Sequence, residues 1–181
     1  MAEIKKTIKE IPGKTVLSVQ IILMRERENN LEVFLGYRND GSFLNQWSFP
    51  GGTVNNGESN EQAACREIFE ETGIEVNENR LEFLLDTVSS TVRDINGMTV
   101  QYDYRIKVFT LEAQELSPFH ASEEEHSEMI WFTLPDALSM HRQAVLDEQA
   151  LGVSRSPDKI PNALAPQTLK TIEFLLKAQK V

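Results

Sequence analysis

The 181-residue chain holds a single cysteine, Cys65, so no internal disulfide is available. That fits a reducing compartment, and a cytoplasmic location is the expectation. No apolar run approaches the ~20 residues needed to span a bilayer, so no membrane role is expected. The first residues, "MAEIKKTIKEIPGK", are charged and contain no apolar h-region, which argues against a secretory signal. There is no internal repeat and no low-complexity tract. Positive charge is scarce: 18 Lys and Arg stand against 28 Asp and Glu, a formal net charge of -10. Such a surface repels long nucleic acid as a partner. It leaves room for a small phosphorylated ligand if cations or a local basic patch screen it.

What remains is ordinary globular material, 40% hydrophobic and 25% charged, long enough for one domain spanning 1–181. Lys14 to Glu26 and Leu31 to Arg38 read as strands joined by the turn "RENN". "WSFPGG" is a short extended piece closed by Pro50 and two glycines. "RLEFLLDTVSSTV" and "MTVQYDYRIKVFTLE" are rich in β-branched and aromatic residues, and Asn96-Gly97 between them is a strong hairpin signal. Glu128 to Leu134 is a further strand. "PDALSMHRQAV" reads as a helix opened by proline. "PQTLKTIEFLLKAQK" closes the chain as an amphipathic helix, with Leu169, Ile172, Phe174, Leu175 and Leu176 on its apolar side. Between these helices, 147–165 reads as a decorated loop or a lid, with Lys159 as a residue that closure would bring to a ligand. The fold class is α+β, a mixed sheet with a few helices.

The densest charge lies in "CREIFEETG", Cys65 to Gly73. Ser59 and Gln62 form a capping box, so a helix starts near Asn60, and Gly73 ends it. At 100° per residue, Ala64, Cys65, Ile68, Phe69 and Thr72 fall on one arc, expected to pack on a sheet. Arg66, Glu67, Glu70 and Glu71 fall on the other. Like charges this close destabilise a helix. Solvent, a basic partner or a metal ion has to offset the repulsion. Clustered carboxylate oxygens are hard ligands suited to Mg²⁺ or Mn²⁺; a solvated acidic face is the competing reading.

The flanking residues decide between them. Gly52, Glu58, Arg66, Glu67, Ile68, Glu70, Glu71, Gly73 and Ile74 fill the spacing G-x5-E-x7-R-E-U-x-E-E-x-G-U, in which U is aliphatic. This resembles the Nudix box of the Nudix hydrolase family, met here at every fixed position. The resemblance implies an α/β/α sandwich around a mixed sheet, with the box as a loop-helix-loop and a C-terminal helix. It implies that Glu67, Glu70 and Glu71 bind Mg²⁺ or Mn²⁺, with the carbonyl of Gly52 as an extra ligand. Arg66 would orient the cluster, Glu58 would brace the loop, and Gly51 and Gly52 would let the backbone approach the metals.

The implied chemistry is hydrolysis of the diphosphate linkage of a nucleoside diphosphate derivative by water attack on phosphorus. Nucleoside triphosphates and nucleotide sugars are the expected substrates. Ser89, Ser90, Thr91 and Val92 stand where family members acting on ADP-ribose or dinucleoside polyphosphates often carry a marker proline or tyrosine. A glutamate before the last strand serves as base in many members, which points to Glu125, then Glu124, in "SEEEHSEMIW", with Glu67 as the alternative base. The competing reading of that run is an acidic surface loop, and Glu128 is structural. Arg38 and Arg105 are candidate phosphate contacts, and Arg93 and Lys107 candidate sources of positive charge. Tyr102, Tyr104, Phe43 and Trp47 are candidates for stacking a base, with a core role as the alternative. His120, His126 and His141 show no metal-ligand spacing, and Cys65 reads as a packing residue. The competing function is a nucleotide sensor that binds without hydrolysis, and a homodimer is left open.

Overall fold

The computed structural model describes residues 13–39, 43–113 and 126–179. Its strands are β1 (Gly13–Arg27), β2 (Asn30–Arg38), β3 (Trp47–Ser48), β4 (Glu82–Ile95), β5 (Met98–Glu112) and β6 (His126–Thr133). Its helices are α1 (Asn60–Thr72), α2 (Leu134–Ala150) and α3 (Pro166–Ala178). The six strands make one mixed sheet in the order β3-β2-β1-β5-β4, with β6 on the other edge of β2. Two tight turns set the antiparallel neighbours. Glu28 and Asn29 (φ 52° and 62°) close β1 onto β2, and Asn96 and Gly97 (φ 53° and 78°) close β4 onto β5. Both central residues lie at positive φ, as a two-residue hairpin turn with the right twist demands. The long pairing of β1 with β5 is parallel, Gly13 to Met24 against Gln101 to Glu112.

Because strand side chains alternate, β1 feeds two cores. Val19, Ile21 and Leu23 join Phe34, Phe109 and Leu111 against Ala63, Ala64 and Ile68 of α1. Ile22 joins Val33, Leu35 and Val108 against Leu134 and Ala137 of α2 and Ile172 and Leu175 of α3. The result is the expected α/β/α sandwich. No helix among the described residues is long and apolar enough to cross a membrane.

Three local expectations need correction. Helix α2 does not stop near Val145 but continues to Ala150, since nothing in "LDEQA" breaks a helix before Gly152. The segment 147–165 therefore begins in a helix. On α3, Phe174 is 44% exposed; it lies two residues, about 200°, from buried Ile172 and so faces away from the sheet. On α1, the buried stripe is Ala63, Ala64, Glu67, Ile68, Glu71 and Thr72, while Phe69 is half exposed. Glu67 and Glu71 are not on a solvent face, because the loop from Pro50 to Thr53 covers that side of the helix.

Candidate active site

The loop preceding α1 is held as an extra strand. Strand β2 occupies one edge of β1 only from Met24 to Arg27. The rest of that edge takes the loop: Val19 N–H donates to the carbonyl of Gly52 (2.9 Å), Ile21 N–H to that of Pro50 (2.8 Å), and Val54 N–H to that of Leu17 (2.9 Å). The two glycines are required by this approach. Gly51 has φ 149°, and a Cβ there would lie 2.3 Å from the carbonyl oxygen of Val19. A Cβ on Gly52 would lie 2.3 Å from Oε1 of Glu67. The backbone is thus clamped between a strand and a buried carboxylate, contact that only glycine permits.

Helix α1 presents its charges to this loop. Ser59 and Gln62 cap its start reciprocally, and Gly73 (φ 72°) ends it by donating its N–H to Phe69. Arg66 is the hub. Its Nε and Nη2 grip both oxygens of Glu58 (2.7 and 3.1 Å). Its Nη1 donates to Glu67 (2.8 Å) and Glu70 (2.9 Å), and Nη2 also reaches the carbonyl of Thr53 (2.9 Å). The guanidinium holds the Glu58 carboxyl down to about 2, helped by the N–H of Asn55; the same bonds push the Arg66 pKa up. Glu71 has no solvent exposure and accepts the N–H of Gly51 at 3.2 Å. Cation and backbone dipoles, rather than solvent, offset the crowding of the carboxylates.

Behind Glu71 lies one of the histidines in which the sequence showed no metal-ligand spacing. His126 Nδ1 is 3.8 Å from Glu71 Oε2, and both side chains are closed to solvent. The β2–β6 ladder shifts between Tyr37 and Arg38, leaving Ser127 as an extra residue. Without that bulge His126 would share a face with Ile130 and Phe132, toward α2 and α3. The bulge turns it to the face of α1, as bulges re-aim side chains. Gly36 makes the room: a Cβ there would lie 2.3 Å from the imidazole. Burial, with the charge of Arg38 beside it, pushes His126 down to about 4, so the ring is neutral near pH 7.

Among the described residues no three His, Cys, Asp or Glu side chains close around a point that would hold an ion, because Arg66 draws Glu70 and Glu67 to itself. The donor set nonetheless suits a hard divalent cation. Glu67 lies against the Gly52 backbone, where a Cβ would displace it. The carbonyl of Gly52 accepts one hydrogen bond and keeps a second lone pair. Glu70 is 51% exposed in its side chain and can turn from Arg66.

A cleft of about 340 Å³ opens beside the loop, on the α2–α3 side of the sheet. Gly51, Gly52 and Thr53 form one margin, and Arg38, Phe43, Arg93 and Tyr104 are among its walls. Arg38 is thereby brought together with the box. Arg93 donates to the Tyr104 hydroxyl (3.0 Å) and lies over the Tyr102 ring (5.3 Å). Arg105 does not reach the cleft. Alternation along β5 sends it to the other face, where it lines a depression with Leu17, Asn60, Asp86 and Lys107. Lys107 is likewise directed away, toward Asp86 (3.6 Å). Trp47 is core, edge-on to Tyr37 and Phe132, and unavailable for stacking. Cys65 is half-buried, and burial raises its thiol pKa, as suits a packing residue. Glu128 lies in β6, opposite Tyr37 of β2. Glu123, Glu124, Glu125 and His120 lie outside the described residues.

The α2–α3 connection is fastened to the segment around β3. Gln46 Nε2 donates to the carbonyls of Pro157 (2.8 Å) and Ile160 (3.0 Å), and Tyr37 OH to Asn162 (2.9 Å). Trp47 exchanges backbone bonds with Ala163 and Ala165 (2.9 Å each). Lys159 lines a second depression, of about 660 Å³, that shares Phe43 and Arg93 with the cleft. Further cleft residues missed in the sequence are Gln20, Ser48, Gln167 and Thr168. Gln20 left a trace, a lone amide inside the apolar run "LSVQIILM".

The family model of the NUDIX domain matches residues 14–151. No curated protein matches the chain. Among solved structures, a MutT/nudix family protein from Enterococcus faecalis is 30% identical with TM-score 0.51, over 66% of this chain and 44% of that one. The match thus spans less than half of that protein. The NUDIX domain of Shewanella oneidensis NrtR, complexed with ADP ribose, is 23% identical with TM-score 0.58, over 92% of this chain and 89% of that one. A MutT NUDIX hydrolase from Burkholderia pseudomallei is 22% identical with TM-score 0.58, over 88% and 97%. The matched span holds the whole box, the glycine-clamped loop and the strands that carry them, and the chain belongs to the Nudix hydrolase family.

Proposed function

We propose that the protein hydrolyses the diphosphate linkage of a nucleoside diphosphate derivative, of the nucleoside triphosphate or nucleotide sugar class, with Mg²⁺ or Mn²⁺. The observation that carries this reading is the junction of the carboxylates of α1 with a cleft lined by Arg38 and Arg93. Acidic oxygens suited to divalent cations and cationic side chains suited to phosphate meet at the Gly51–Gly52 backbone.

Glu67, Glu70 and Glu71, with the carbonyl of Gly52, would hold the cations. Bound there, a divalent cation neutralises phosphate oxygens and lowers the pKa of an attacking water. The chain's own groups do the rest. Arg66 keeps Glu67 and Glu70 pre-positioned, and Glu70, half exposed, would be the ligand free to turn from it toward an ion. Gly51 N–H fixes Glu71 by one oxygen. Arg38 steadies the phosphate to be cleaved, and Phe43 and Tyr104 offer apolar walls for the nucleoside. The water's proton goes to a carboxylate, for which Glu125, with Glu124 next, is the proposed base and Glu67 the alternative.

The competing reading, a sensor that binds a nucleotide without turnover, predicts a degraded box, and the box here retains every fixed position. A panel of nucleoside diphosphate derivatives incubated with Mg²⁺, with released products identified, tests the proposal. Turnover of at least one supports it; tight binding without any product assigns the sensor role. The base is tested separately. The glutamine variant of Glu125 should lose kcat while keeping Mg²⁺ affinity, and a triple glutamine variant of 123–125 with undiminished kcat would move the base to Glu67.

A further inference from the structure

Two residues that line the cleft each carry a buried polar atom with no hydrogen-bond partner among the described residues: Oε1 of Gln20 and Oγ of Ser48. Ser48 is only 7% exposed. Nε of Arg38, a residue of the same cleft, is also without a partner among the described residues. Buried polar atoms are nearly always bonded, and an unsatisfied one costs stability. Such atoms gathered in one cavity mark a place that a ligand completes.

The local fold explains why Gln20 is there. On β1 it shares a face with Ile22, which is fully buried in the core beneath α2 and α3. One step toward the box that core ends, because α3 begins only at Pro166 and its first turn roofs the cleft with Gln167 and Thr168. A leucine at position 20 would continue the apolar face of Ile22. The amide instead breaks an apolar run and leaves, in a residue that lines the cleft, a buried oxygen without a partner among the described residues. Gln167 does not supply the missing partner; its Nε2 donates to Thr87 at 2.8 Å. The surroundings suit a flat ring: Phe49 is buried beside Ser48, and Tyr104 and Phe43 line the same space. At about 340 Å³ the cleft falls within the range of small-molecule sites.

We propose that this cleft is a nucleobase pocket in which the Gln20 carboxamide accepts a hydrogen bond from an exocyclic amino group of the base. The assignment rests on the nucleotide reading above and narrows it: the substrate carries an amino-bearing base, adenine, guanine or cytosine. Ser48 Oγ completes the polar edge of the same base, and Arg38 Nε donates to the anionic part of the ligand. A site built around such a bond rejects an analogue that lacks the donor, because the buried acceptor is then left unpaired.

The test is a calorimetric titration, which needs no turnover, with nucleoside diphosphates paired by one amino group: adenosine against purine riboside, guanosine against inosine, and cytidine against uridine. In at least one pair the amino-bearing member should bind on the order of tenfold more tightly. Gln20→Leu should reduce it to the level of its partner, whereas Gln20→Glu, which keeps the acceptor oxygen, should preserve the preference. Gln20→Glu also serves if Gln20→Leu fails to fold. Ser48→Ala should weaken the preferred base. Equal binding within every pair, a preference for the carbonyl-bearing member, or a preference that survives Gln20→Leu would each overturn the assignment. Selective binding without product release would instead overturn hydrolysis and leave the pocket standing.

Discussion

His126 and Glu71 face each other across 3.8 Å in a space closed to solvent, with Gly36 directly beneath the imidazole. The ring fills the room behind the carboxylate, and the N–H of Gly51 holds the carboxylate from the front. A strand bulge and a glycine on the opposite strand thus fix the rotamer of a glutamate on α1.

Gly36→Ala should therefore act at a distance. The added methyl meets the ring at 2.3 Å, and overpacking of this kind costs about 1–3 kcal/mol. Thermal unfolding should show the loss, and a Mn²⁺ titration should show weaker binding, because Glu71 moves with the ring. Unchanged Mn²⁺ affinity in a destabilised Gly36→Ala protein would reduce His126 to a packing role.

Chelation with EDTA should abolish hydrolysis, and Mg²⁺ or Mn²⁺ should restore it. Glu70→Gln and Glu71→Gln should each lower kcat by about 10²-fold or more, roughly 3 kcal/mol of barrier. The fold should survive in both. In Glu71→Gln the amide oxygen still accepts the N–H of Gly51; in Glu70→Gln an exposed charge is lost beside other acidic groups. Steady-state kinetics over a metal titration measure both effects, and wild-type kcat in either variant would make that glutamate structural.

Arg66→Ala should destabilise the metal-free protein more than any exposed ion pair would suggest. Its bonds to Glu58 and Glu70 are at least partly solvated and worth little. Glu67, however, has a side chain only 8% exposed, and stripping a buried carboxylate of its cation costs on the order of 3 kcal/mol. Mg²⁺ should recover part of that loss, so the melting temperature of the variant should rise more with added Mg²⁺ than that of the wild type. An equal rise in both proteins would separate Arg66 from the ion site.

Mild acid should loosen the α2–α3 connection. His141 Nδ1 accepts the N–H of Leu164 at 3.2 Å, which requires that nitrogen to be unprotonated. Burial lowers the His141 pKa below its usual 6.5. The unfolded chain therefore takes up the proton first, and stability falls as pH drops below about 6.5 until the folded value is reached. Amide exchange at Leu164 should accelerate over that window. His141→Gln, whose side-chain oxygen can accept the same bond, should flatten the response.

Much of this was legible in the sequence because local chemistry decides it. Ser59, Gln62 and Gly73 bound α1, and Asn96-Gly97 sets the β4–β5 hairpin, through interactions between residues close in the chain. The spacing from Gly52 to Ile74 identified the box. What sequence reasoning missed depends on partners distant in sequence. A helical projection assigns charge to solvent, yet Glu67 and Glu71 are buried because the Pro50–Thr53 loop lies over them. Alternation along β5 separates Arg105 from Tyr104, but which face carries the cleft depends on where α3 begins. His126 reaches Glu71 only through a one-residue bulge, and Trp47 sits in the core between Tyr37, Phe132 and the bridge to Leu164, all distant in sequence.

The rail that carries the box loop is β1, and its other edge is filled by β5, which follows the box in the chain. This sets an order of assembly. A nascent chain that has released β1, the loop and α1 holds every residue of the box, yet β1 at that moment shows an open edge and an apolar run through Ile21, Ile22 and Leu23. Pairing across such a span is slow to form, and an unpaired edge of this kind attracts other chains. The same strand that gives the carboxylates a rigid footing therefore makes them late to arrive, and a chain halted before Met98 should be prone to aggregate rather than weakly active.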